Sequence, residues 1–409
     1  MIDNDQSDSL LYQIIIFILS LMLLIWFLFY YTGPLHRTSK YEHMVNIKKP
    51  DKDITWTTDE TCPYEMTKVY TDILNEYGIK HDKKDWLLYF PCTYNDSDKE
   101  IDKVKPINSE QRIFIITNTN EISSKSDLWL NLVKKYGPVK ASTLAPKTYV
   151  LYDDADIKLF EKEYDPNKIY IMKKNIQRQE GIKITDNKEE IINGYKNNNF
   201  VVAQELLSDP YLIRGRKTNM RFYLLLVCQK GEVSSYVHND GFMYYTKVSF
   251  VKGSKDFATN VTTGYIERWI YKVNPLTHDD FRKYLDDPET DRVLLDKEID
   301  LIKNKNKISD VVFKRIYELL EQVVKAVERT VCKGTHLENN ITFQLFGVDI
   351  AVSDTLEPKI IEINIGPNLG THDGRDSEIK HKVVRDIFKV LKITPKSEKE
   401  DNGGFIQLT

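Results

Sequence analysis

The residues of this chain best suited to chemistry stand near its C-terminal end, in the run FQLFGVDIAVSDTLEPKIIEINIGPNL. Apolar, β-branched stretches here carry isolated acids where a buried strand ordinarily excludes them. Glu362 and Asn364 stand two apart, so on a strand they project from one face. The polar stretch from Ser353 to Pro358 joins two such strands, Gln344 to Val352 and Lys359 to Asn364, as an antiparallel hairpin that brings Asp349 alongside them. Hard oxygen ligands of this kind suit magnesium, which keeps several waters and is more often completed by nucleotide phosphates than by a full protein cage. The pattern therefore points to magnesium held with ATP.

Two basic clusters precede the hairpin. In YIMKKNIQRQEGIKI, Lys173 ends an apolar strand and is followed by a polar loop and Gly181. Such a lysine meets a phosphate as a point charge, and loop amides with one permissive glycine can wrap a triphosphate. In VVAQELLSDPYLIRGRKTNMRFYLLLV, Arg214, Arg216, Lys217 and Arg221 gather beside a strand, where anions are expected. Taken alone, each cluster also reads as a basic surface segment, because Lys and Arg are ordinarily exposed.

The elements that must position these groups alternate between strand and helix signals. Short apolar runs at Ile113 to Thr117, Ile169 to Lys173, Val201 to Glu205, Met220 to Cys228 and Val233 to Val237 are bounded by polar or Gly/Pro punctuation and read as strands. Helices are expected around Tyr64 to Tyr77 and over Ser126 to Tyr136, the latter ended by Gly137-Pro138. Val311 to Val331 carries Val311, Val312, Ile316, Leu319, Leu320, Val323, Val324 and Val327 at helical spacing, so one face of that helix packs on a sheet. Thr394 to Thr409 is polar and is expected to be disordered.

A length of 409 residues suits an enzyme of two or three lobes, and a net charge of -3 gives no overall pull toward nucleic acid. Cys62, Cys92, Cys228 and Cys332 lie far apart without metal spacing and read as reduced thiols of a cytosolic body, without disulfides or zinc. Leu10 to Tyr31 contains no charge, and as a helix its 22 residues span about 33 Å, enough for a hydrocarbon core of about 30 Å. Asp3, Asp5 and Asp8 ahead of it argue against a cleaved signal, while Arg37, Lys40, Lys48 and Lys49 behind it set the C-terminal body on the cytoplasmic side of a single-pass membrane anchor.

Together with ISSKSDLWLNLVKKYG, PKTYVLYDD, ATN and SEIKHKVVRD, the three clusters in this order resemble the tubulin-tyrosine ligase-like proteins, over roughly Asn108 to Ile393. The resemblance implies an ATP-grasp fold, of α/β class and α+β type, with a mostly antiparallel central and C-terminal sheet in addition to the N-terminal transmembrane helix. By position, Lys173 corresponds to the phosphate-binding lysine, with Gly181 in the loop that follows it, and Gln204, Glu205, Leu206 and Leu207 to the hinge that reads adenine. Lys217 and Arg221 correspond to the basic pair near phosphate and acceptor, and Thr259 and Asn260 to a polar pair beside the nucleotide. Asp349, Glu362 and Asn364 correspond to the magnesium ligands. Departures are Asn219 in place of an aspartate near ribose or metal, Tyr244 where an arginine is common, for which Arg268 is a candidate substitute, a missing second glycine in the phosphate loop, and Gly366 in place of a serine.

The resulting layout is an acidic tail (1–9), a transmembrane helix (10–31), a juxtamembrane linker (32–60), an N-terminal α/β region (61–168), a central ATP-grasp lobe (169–250), a C-terminal lobe (251–393) and a disordered tail (394–409). The implied activity is ATP- and Mg2+-dependent ligation of a free amino acid to a carboxylate of an acidic protein tail such as tubulin's, through an acyl phosphate. A ligase of small-molecule carboxylates and a non-catalytic membrane-tethered binder are the alternatives.

Overall fold

The computed structural model describes residues 17, 19–22, 45–94, 97–176, 181–264, 266–289 and 293–409. The chain divides into residues 1–44 and a body from Val45 to Leu408. Of residues 1–44 only 17 and 19–22 are described, and they are helical and exposed. The remainder of the expected anchor, and the acidic tail before it, lie outside the described residues, among which no helix is long and apolar enough to cross a membrane.

In the body, the runs rich in β-branched and aromatic residues become, among the described residues, sixteen strands. They are β1 (Thr55–Thr58), β2 (Lys80–His81), β3 (Leu88–Phe90), β4 (Arg112–Ile113), β5 (Thr148–Val150), β6 (Tyr170–Lys173), β7 (Ile182–Thr185), β8 (Val202–Glu205), β9 (Leu212–Ile213), β10 (Arg216–Gln229), β11 (Glu232–His238), β12 (Phe242–Thr246), β13 (Thr262–Thr263), β14 (Ile341–Val352), β15 (Pro358–Ile365) and β16 (Phe405–Gln407). Twelve form one large sheet; β5, β8, β6 and β7, in that order, form a smaller antiparallel sheet. In the large sheet β10 lies between β12 and β14, and β15 pairs with β14, all antiparallel, while β1 to β4 join beyond β14 through parallel pairings.

The longest strand, β10, shows why the site falls where it does. Its odd positions share one face, and they pass from Lys217, Asn219 and Arg221 to Tyr223, Leu225 and Val227. One end of that face is therefore polar and the other belongs to the core. The helix Ile308–Val327 supports the sheet, burying Val312, Phe313, Ile316, Leu319, Leu320, Val323, Val324 and Val327 at the spacing expected of one helical face. Burial of each such side chain contributes about 1.5–3 kcal/mol. The expected helix near Tyr136 runs Lys125–Tyr136, with the Ser124 hydroxyl accepting from the Asp127 amide at its start and Gly137 at its end.

Several expectations are corrected. Residues 45–60 are not all linker, because β1 pairs inside the large sheet and Val45 is buried. The boundaries expected at 168 and 250 cut through sheets, since β5 joins β8 and β12 joins β13. The tail from Thr394 is not disordered throughout: β16 pairs with β11, and Phe405 and Leu408 are buried. These two apolar side chains outweigh the polar residues before them. All four cysteines are joined, Cys62 to Cys92 and Cys228 to Cys332, with Cα atoms 5.3 and 6.2 Å apart. Partners 30 and 104 residues distant cannot be matched by local spacing.

Candidate nucleotide and metal site

The hairpin of β14 and β15 forms as its alternation implies, and its register sets the geometry. Arg221 pairs with Asp349, Asp349 pairs with Glu362, and Gly347 pairs with Asn364. Three charged side chains thus line up across β10, β14 and β15. Arg221 donates to both Asp349 oxygens, Nε to Oδ1 at 2.6 Å and Nη2 to Oδ2 at 3.0 Å, a two-pronged pairing that fixes both groups. Asn364 Nδ2 donates to Glu362 Oε1 at 3.0 Å.

A β-bulge follows Asp349, so that Ile350 pairs with Ile360 and Ile361 is left outside the ladder. The Ile361 carbonyl turns to Lys173, whose Nζ lies 3.5 Å away and also donates to Gln204 Oε1 at 2.8 Å. Gln204 is fixed in turn by donating to the Thr148 hydroxyl. The smaller sheet is thereby joined to the hairpin through one lysine.

These groups border a cleft of about 760 Å³, part of it open to solvent. Of the sequence-predicted residues, Lys173, Gln204, Glu205, Leu206, Leu207, Lys217, Asn219, Asn260, Asp349 and Glu362 line it. The other four sit one step behind. Arg221 backs Asp349, and Asn364 backs Glu362. The Thr259 hydroxyl accepts from Asn260 Nδ2. Gly181, at φ +68°, accepts from the Lys174 amide at the foot of β7. Residues 177–180 of the expected phosphate loop lie outside the described residues. In the expected hinge, the amides of Glu205 and Leu206 donate to the carbonyls of Lys147 and Ile169.

Burial pushes the Lys173 ammonium down to about 8, against the pull of Glu362. Burial, then the Lys173 charge, pushes Lys217 down to about 8 as well. Burial also acts to raise Glu362, but Lys173 and Lys125 outweigh it and hold that carboxyl below its ordinary value. At Asp349 burial prevails over Arg221 and the carboxyl is raised. The two lysines with depressed values gain from a phosphate placed beside them, and the adjacent buried carboxylates from a cation placed between them. The donors suit the expected ligands in kind: oxygen atoms for a hard divalent ion, ammonium groups for phosphate. The Oδ1 atoms of Asn219 and Asn260 are buried and have no hydrogen-bond partner among the described residues, which leaves two acceptors open to a ligand's hydroxyl groups.

Sequence reasoning missed Lys125. It lines the cleft, donates to the Ile176 carbonyl at 3.2 Å beside the phosphate-loop segment, and acts on both Lys173 and Glu362. Its only signal was its place at the capped start of a helix. Tyr244 lies against Arg221, its ring centre 5.1 Å from the guanidinium carbon. Arg268 does not substitute for an arginine there, being paired with Asp373 and stacked on Tyr271.

Two sheets thus meet at a cleft lined by cations, carboxylates and amides. The profile of the tubulin-tyrosine ligase family matches residues 104–401, and the chain belongs to that family. Tubulin polyglutamylase TTLL7 of Xenopus tropicalis is 24% identical over 90% of this chain and 40% of its own length. The probable beta-tubulin polyglutamylase of Tetrahymena thermophila is 24% identical over 82% of this chain and 28% of its own. Human tubulin polyglutamylase TTLL6 is 24% identical over 85% of this chain and 39% of its own. The chain thus spans well under half the length of these relatives.

Proposed function

We propose that the chain is an ATP-dependent ligase of ATP-grasp type that joins glutamate to a carboxylate of an acidic protein tail, with tubulin the first candidate. The observation that carries this reading is the cross-strand row of Arg221, Asp349 and Glu362 at the wall of a cleft that also holds Lys173 and Lys217. The names of the relatives support the choice of amino acid and acceptor.

In this reading the acceptor carboxylate attacks the γ-phosphorus of ATP and ADP leaves, giving an acyl phosphate; the amine of the incoming amino acid then displaces inorganic phosphate and gives up a proton, leaving an amide. Lys173 and Lys217 hold phosphate oxygens and offset charge during transfer. Gln204 aims Lys173, and the segment Glu205 to Leu207 borders adenine. Asn219 and Asn260 accept from ribose hydroxyls, a contact that does not need the aspartate expected at 219. A divalent cation bound by Asp349, Glu362 and Asn364 would neutralise phosphate oxygens. Arg221 keeps Asp349 in place.

The test is incubation of the full chain with ATP, MgCl2, isotopically labelled glutamate and tubulin, followed by mass spectrometry of the tail peptides. ATP-dependent label on tail glutamates is expected. Absence of label from tubulin and from every other acidic protein and amino acid tried would overturn the reading.

A further inference from the structure

Arg112, on β4, is 1% exposed and forms no salt bridge among the described residues. Its guanidinium donates instead to three carbonyls, Nη2 to that of Lys48 at 2.6 Å, Nε to that of Leu391 at 3.2 Å, and Nη1 to that of Glu110. A guanidinium keeps its proton at neutral pH, so this is a buried positive charge. It also ties together two lysine-bearing segments that are far apart in the chain. One is the entry to the body, where Val45 is buried and its amide donates to the Ser234 hydroxyl at 2.9 Å. The other is the end of the helix Gly374–Val390, where Lys392 takes φ +57°, a left-handed turn that glycine adopts with less strain, and Ile393 returns to the core.

Beside these segments lies a recess of about 190 Å³, part of it open to solvent, whose charged lining is Lys49, Lys389, Lys392, Lys399, Glu400 and Asp401. The acids do not neutralise it. Lys49 stands 3.8 Å from Glu400, and Lys389 stands 3.6 Å from Asp401 and 3.7 Å from Asp386. Asp401 accepts from the Gly403 amide and Asp386 from the Gly404 amide, each at 2.8 Å, so both acids are engaged with backbone. Lys392 and Lys399 form neither a hydrogen bond nor a salt bridge among the described residues. The exposed Lys48 and Lys396 flank the recess in sequence. The recess shares no residue with the nucleotide cleft and is not an extension of it. In sequence, only residues 32–44 separate Val45 from the uncharged run Leu10 to Tyr31. Ammonium groups meet phosphate oxygens as point charges, and lysines gathered close behind an uncharged apolar run suit an anionic lipid surface.

We infer that this recess and its lysines hold the phosphate headgroups of an acidic lipid surface. The inference does not depend on the ligase reading. Hydrogen–deuterium exchange of the full chain is followed in phosphatidylcholine vesicles with and without phosphatidylserine, for the parent and its Lys392→Glu/Lys399→Glu and Lys399→Glu variants. Phosphatidylserine is expected to slow exchange in residues 45–50 and 389–401 of the parent about tenfold, and less at high salt. The double variant is expected to lose that slowing and the single variant, altered only at an exposed position, to lose part of it, with affinity for an ATP analogue unchanged in both. Exchange that is the same in both vesicle compositions, or slowing fully retained in the variants, overturns the inference. Equal slowing by soluble glycerophosphoserine or by a glutamate-rich peptide, without vesicles, also overturns it, assigning the recess to a free phosphate ester or to a polypeptide.

Discussion

Arg221 and Asp349 face each other on neighbouring strands and share two hydrogen bonds, of 2.6 and 3.0 Å, with both side chains largely withdrawn from water. Burying two charges is costly, so the pair is better read as positioning than as net stabilisation. Removing one partner is another matter. Arg221→Ala leaves a buried carboxylate without its countercharge and should cost about 3–5 kcal/mol in urea unfolding, whereas Arg221→Lys should recover part of that loss but not the two-pronged geometry.

On the proposed reading, the lysines make ATP use depend on pH. In the free protein Lys173 and Lys217 lose their protons near 8 rather than near the ordinary 10.5. Phosphate needs the charged form, so kcat/KM for ATP should fall as pH rises through about 8, a profile measured from initial rates. Stability should move the other way: between about 8 and 10.5 the unfolded chain holds protons that the folded chain has lost, so folding is favoured as pH rises there.

Gly366 stands where the resemblance to the tubulin-tyrosine ligase-like proteins implies a serine. Its φ is +58°, and a Cβ placed there would lie 2.6 Å from Cδ2 of Tyr94. Gly366→Ser should therefore destabilise the chain by about 2–4 kcal/mol, from the left-handed backbone and from overpacking. Tyr94→Ala in the same chain should remove only the second part, which a double-mutant cycle in urea unfolding would separate.

Tyr94 follows Cys92 by two residues, so the Cys62–Cys92 disulfide tethers the segment that covers Gly366. In a loop-entropy account, closing 30 residues contributes about 3–4 kcal/mol. Cys62→Ser should lower the unfolding midpoint accordingly, read by thermal melts under non-reducing conditions, with the difference vanishing when dithiothreitol reduces the parent bridge.

What could be read in the sequence was local. Acids inside apolar alternation revealed the hairpin, and a two-residue spacing put Glu362 and Asn364 on one face. Long-range features were hidden for a physical reason: the disulfides, the pairing of Phe405–Gln407 with Glu232–His238, and the place of Lys125 all depend on segments distant in the chain. The bulge that frees the Ile361 carbonyl for Lys173 was hidden too, because hydrophobic alternation alone does not reveal a one-residue slip. Tyr244 stood out only as a missing arginine, yet its ring is the surface on which Arg221 rests.

The central claim is that Asp349, Glu362 and Asn364 hold a divalent ion together with a nucleotide. Its most direct test is calorimetric titration of a non-hydrolysable ATP analogue into the chain and its Glu362→Gln variant, with and without Mn2+. The account predicts that Mn2+ tightens binding to the parent at least about tenfold, worth about 1.4 kcal/mol, and has little effect on a variant that still folds. Equal enhancement by Mn2+ in both proteins would contradict it.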